Sequence, residues 1–115
     1  MLSLETHKGK IAEPVTSGGI ARAVARLAEV GEAYIILGDA ADRETYVQAA
    51  GTVGEDFIIE RRDGCAGEHY RGDRRVTSVE LVTMLVAYLQ GVTTWSHVIS
   101  WHRVCVDFDT PSAMA

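Results

Sequence analysis

The sequence predicts an α+β fold, a two-layer sandwich in which two helices pack on one face of an antiparallel meander sheet of four to five strands. Three observations lead there. Apolar residues at helical spacing follow the N-terminal segment, a capped amphipathic helix stands in the C-terminal third, and short apolar or alternating runs lie between them. The links between those runs, of about six residues, suit antiparallel neighbours, because parallel crossovers need a dozen or more. Helices placed before and after a meander bury their stripes against the same sheet.

Residues 1–16 carry little periodicity and include Pro14, so they read as a mobile arm or an edge segment. From Ile20, apolar residues recur at Val24, Leu27 and Ala28, with Val30 closing the stripe; Ser17 is the expected N-cap and Gly31 the stop. Arg22, Arg26 and Glu29 then face water. Strands are expected at 34–37, 45–50 and 57–62, with Tyr46 and Gln48 opposite Val47, and Phe57 and Ile59 opposite Ile58 and Glu60. A turn at 63–67 leads to a fourth strand at 68–71 and a loop at 72–75. Thr77 is read as the N-cap of the second helix, Glu80 as its capping-box partner, and Val76 as the staple onto Leu81. This helix covers 78–90, stops at Gly91 and buries Leu81, Val82, Leu85, Tyr88 and Leu89. A helical turn or strand runs to Trp101, 104–108 alternates as a fifth strand, and 109–115 frays. The ordered domain is therefore 17–108.

One domain is what 115 residues allow, and no apolar run approaches the ~20 residues that span a bilayer. The first residues lack the charged-then-apolar order of a signal peptide, so the expected location is cytoplasmic. Cys65 and Cys105 are too few for a disulfide framework and are read as thiols. Eleven basic against sixteen acidic residues give a formal charge of −5, which disfavours duplex nucleic acid as a partner. The same balance suits a basic protein partner, although modest negative charge mostly serves solubility.

No catalytic signature stands out. Cys65 with His69 and His102 with Cys105 have ligand types for zinc but not a strong zinc spacing, so neither a metal nor a cofactor is expected. Cys65 beside His69 has the types of a nucleophile and its base without an orienting third group, and Glu60 with Asp63 is better read as ion-paired to Arg61, Arg62 or Arg74. Ser17-Gly18-Gly19 does not match a phosphate loop, and Arg61, Arg62, Arg71, Arg74 and Arg75 lack the aromatic platform of a single-strand binder. Trp95 and Trp101 divide between core and interface. The uncovered sheet face is expected to present Tyr46, Gln48, Glu60, Arg62 and Tyr70, aromatic and charged groups suited to contact with another molecule.

Tyr46-Val47-Gln48, the run 59–64 centred on Glu60, His69-Tyr70-Arg71, Tyr88-Leu89-Gln90-Gly91, and then Trp95 and Trp101 form an ordered set. Over residues 34–103 this set resembles the small immunity proteins of bacterial polymorphic toxin systems, the kind that accompanies deaminase and nuclease toxins. The resemblance implies a non-catalytic protein that plugs the active site or substrate path of a cognate toxin, and the acidic balance of the chain suits a basic toxin domain as that partner. It carries the partner-binding role onto Tyr46, Gln48, Glu60, Tyr70, Trp95 and Trp101, and leaves the N-terminal arm unmatched. Two other readings stand beside it. One is a homodimeric, chaperone-like or structural module, and the other a small enzyme using Cys65, His69 or Glu60.

Overall fold

The computed structural model describes residues 2–11, 14–27, 33–51 and 56–104. Among them the chain runs β1 (Leu2–Thr6), β2 (Gly9–Lys10), α1 (Ser17–Leu27), β3 (Ala33–Asp39), β4 (Asp42–Gly51), β5 (Ile58–Asp63), β6 (His69–Gly72), α2 (Ser78–Leu89) and β7 (Trp101–Arg103), with short 3-10 turns at Ala66–Glu68 and Thr93–Val98. The α+β class is as expected. The sheet is larger: seven strands in the order β2-β1-β3-β4-β5-β6-β7, every neighbouring pair antiparallel.

Two of the extra strands come from residues 1–16, and of the two readings given for that segment, mobile arm or edge segment, the described part is the edge. Leu2 to Thr6 pairs residue for residue with β3, and Gly9–Lys10 folds back as the edge of the sheet. Leu4 and Thr6 point into the core, while Leu2, Ser3 and Glu5 are only half-buried. The alternation is therefore real but has one polar member inside, Thr6, whose hydroxyl oxygen accepts the backbone N–H of Lys8. At the other edge, β7 forms at Trp101–Arg103, ahead of the expected strand at 104–108, whose residues 105–108 lie outside the described residues together with the tail 109–115 and Cys105.

The first helix begins one residue earlier than its predicted cap allows. Thr16, not Ser17, takes the capping role, its hydroxyl accepting Gly19 N–H at 3.0 Å while its carbonyl accepts Ile20 N–H. The predicted stop at Gly31, with Ala28, Glu29 and Val30, falls outside the described residues. In α2 the capping chemistry is present in full: Thr77 accepts from Glu80 N–H, and the Glu80 carboxylate accepts from Thr77 N–H. The helix ends in a Schellman arrangement, with Gly91 N–H on the Tyr88 carbonyl and Val92 N–H on the Ala87 carbonyl; Gly91 takes φ 75°, a left-handed conformation that penalises side chains with a Cβ.

Both helices lie on the same side of the sheet. Ile20, Val24 and Leu27 of α1 and Leu81, Met84 and Leu85 of α2 meet Leu4, Ile35, Leu37, Val47, Ala49 and Ile59 in one core, each large side chain contributing roughly 1.5–3 kcal/mol by burial. Met84 is fully buried with Leu81 and Leu85, whereas Val82, Tyr88 and Leu89, expected inside, sit half-buried at the margin of the core. No helix among the described residues is long and apolar enough to cross a membrane.

Candidate partner-binding face

Among the described residues no helix packs on the second face of the sheet, and strand alternation decides what that face presents. Since Leu37, Val47 and Arg61 are cross-strand partners on the helix side, their neighbours Ile36, Gln48 and Glu60 point the other way. Register extends that row across the sheet as Glu5, Ile36, Gln48, Glu60, Arg71 and His102. A second row runs Ser3, Gly38, Tyr46, Arg62 and His69. A third, nearer the other end of the strands, holds Tyr34, Ala50 and Ile58.

Glu60 is the centre of the polar part. Its Oε1 accepts Gln48 Nε2–H at 3.1 Å and lies 2.8 Å from His69 Nε2, while its Oε2 is met by Arg71 at 2.7 Å. Arg62 donates its Nε–H to His69 Nδ1 at 3.2 Å, so Nδ1 is the unprotonated nitrogen and Nε2–H donates to Glu60. Arg62 reaches on to Glu44 and lies over the Tyr46 ring, which meets the His69 ring edge to face. Burial acts to raise the Glu60 pKa, but the hydrogen bonds from His69, Arg71 and Gln48 outweigh it and hold the carboxyl below its ordinary range. Tyr46 moves upward, chiefly because its hydroxyl is partly desolvated.

This arrangement is a tied network. Both His69 nitrogens and both Glu60 oxygens are engaged, and His69 is 5% exposed. Proton transfer by either group would first require breaking those bonds. Cys65 is exposed on the turn before β6, but His69 has no free nitrogen with which to activate it. Asp73 engages His102 Nδ1, and the described residues contain no grouping of three or more His, Cys, Asp or Glu side chains placed to hold a metal.

Beside the network the face changes character. Tyr34 and Ile58 are 39% and 38% exposed, with Ala50 between them in the same row and Ile36 beside Tyr34 in the adjoining one. Toward the β3–β4 turn, a cleft of about 340 Å3 opens over Ile36, Gly38, Tyr46 and Gln48, with Glu5, Lys10, Asp39, Asp42 and Arg43 at its margin.

Six residues were expected to form the binding surface, and the structure divides them. Tyr46, Gln48 and Glu60 share the uncovered face, and Arg62 joins them. Tyr70 does not: it pairs with Arg61, on the helix side, because the 3-10 turn at Ala66–Glu68 sets the phase of β6 so that His69 and Arg71 point to the open face. There Tyr70 donates to Glu68 and lies under the Arg61 guanidinium. Trp95 and Trp101 are on that side too, half-buried against the core. Tyr88, Trp95 and Trp101 pack edge to face in succession, Arg61 covers Trp101, and the Trp101 indole N–H donates to the Ser96 carbonyl at 2.8 Å. His69 and Arg71, which sequence reasoning set aside as a base and a basic patch, complete the open-face network. Their signal was present as alternation with Tyr70.

Comparison of the chain with protein-family models, with curated proteins and with solved structures finds no match in any of the three.

Proposed function

We propose that the chain is a non-catalytic protein-binding module whose helix-free sheet face docks a partner, acting as an immunity protein that occludes the active site of a cognate toxin. The observation that supports this reading is the juxtaposition, on one uncovered face, of an apolar strip (Tyr34, Ile36, Ala50, Ile58) with side chains already held in place by the Glu60 network. Ordinary one-sided sheets put polar, mobile groups toward water. Pre-ordered polar groups beside apolar anchors lower the entropy lost on association, and the adjoining cleft is large enough for one inserted side chain.

The test is site-specific photo-crosslinking in cells. A crosslinker in place of Tyr34 or Ile58 should capture one partner, and the same group in place of Arg22 on α1 should not. Expression of the captured partner's domain alone should arrest growth, this chain should restore it, and its Ile58→Asp variant should not. Equal capture from both layers, or a partner whose expression leaves growth untouched, rules the immunity reading out.

A second reading, a homodimeric module, is favoured by α2. Val79 is 75% exposed, and Glu80 is the helix's one charged residue. Light scattering of wild type and Val79→Lys decides it: a dimer converted to monomer supports this reading, and a monomeric wild type removes it.

A further inference from the structure

A cleft of about 480 Å3 opens between the β1–β2 turn and the C-terminal half of α1, lined by no residue of the apolar strip or of the Glu60 network. Ile11, Ala23 and Leu27 give it apolar walls, and His7, Lys8 and Arg26 supply its nitrogen-bearing groups. Neither Lys8 nor Arg26 forms an ion pair with a described residue, and both are exposed. Neither ring nitrogen of His7 has a hydrogen-bond partner, although both are sealed from solvent and the ring meets Tyr34 edge to face. An imidazole carries at least one N–H, and leaving it unpaired inside a protein is costly.

We propose that this cleft binds a small apolar carboxylate. The apolar walls take the ligand's hydrocarbon body, Lys8 and Arg26 neutralise its charge, and a rotation of the His7 ring toward the cleft gives its N–H a carboxylate oxygen to donate to. A neutral apolar molecule leaves both cations and the histidine unmatched. A bare anion leaves the walls wet. The size is that of an ordinary small-molecule site.

The experiment is NMR on 15N-labelled full-length protein, following the His7 ring nitrogens through long-range proton–nitrogen correlation during titration with octanoate, octanol or acetate. Octanoate should produce saturable shifts at His7, with octanol and acetate weaker by at least about tenfold, the loss of one charge-assisted contact or of the apolar body. Arg26→Gln, a surface substitution that spares the core, should weaken octanoate by a similar factor, and His7→Phe, followed at the backbone amides of Lys8 and Arg26, should weaken it while circular dichroism stays that of the wild type. No saturable response to octanoate, octanol binding as tightly as octanoate, or Arg26→Gln binding unchanged each overturns the proposal. None of these outcomes depends on whether the open face docks a protein.

Discussion

At Glu60 a single side chain decides whether three donors are satisfied. Because Oε1 faces the N–H groups of Gln48 and His69 and Oε2 faces Arg71, an amide in its place must turn an NH2 against another donor. Glu60→Gln should therefore cost about 1–3 kcal/mol in urea unfolding, the usual penalty of a buried polar group left unmatched. A surface carboxylate would show almost none. Glu80 is the second residue whose ionisation matters: its bidentate bond with Arg74, then the Thr77 backbone N–H, lower its pKa from 4.5 to about 2. A carboxyl with a depressed folded pKa stabilises fully above its unfolded value and loses that contribution as pH falls through the folded one. Glu80→Gln should accordingly flatten the loss of stability between pH 4.5 and about 2, measured as urea midpoints across an acid series.

The elements differ in how far the sequence announces them, and the difference is the distance over which each is determined. Every bond that starts and stops α2 lies within six residues of its ends, so Thr77, Glu80 and Gly91 could be read directly. β1 pairs with a strand about thirty residues on, and its inward positions are Leu2, Leu4 and Thr6, an alternation too short and too polar at its end to separate a strand from a loose arm by itself. Leu4 makes the point measurable. At 1% exposure its replacement by alanine should cost about 2–5 kcal/mol, where a mobile segment would tolerate it freely. The candidate site was legible to the same extent. Tyr46, Gln48 and Glu60 follow from alternation within two paired strands, whereas Tyr70 was misplaced because a 3-10 turn resets the phase between β5 and β6. Their hydrogen-bond partners His69 and Arg71 become visible only once that phase is known.

Across the molecule, one continuous core joins the N-terminal hairpin strand, both helices and the central strands, and the two tryptophans pack against it from the side of α2. Such a body should unfold as a unit. The near-ultraviolet signal of the Trp95–Trp101 pair and the far-ultraviolet signal of the backbone should share one midpoint in urea; separate midpoints would mean that the aromatic cluster opens independently. On the open face Glu60 is met by Arg71 and Arg62 reaches Glu44, so each of these guanidiniums already faces a carboxylate, and shape and apolar contact do more for partner selection there than local charge.

Arg61 and Glu60 are neighbours that face opposite ways, one roofing an aromatic stack beneath the helices and the other gathering donors in the open. If β5 slid by one residue against β4, Glu60 and Arg62 would be driven under α2 and Ile59 turned out to water. The polar groups of the open face therefore also act as a key to strand pairing. They permit one alignment of the central strands, and a partner that grips them would be holding the fold in register as well as reading its surface.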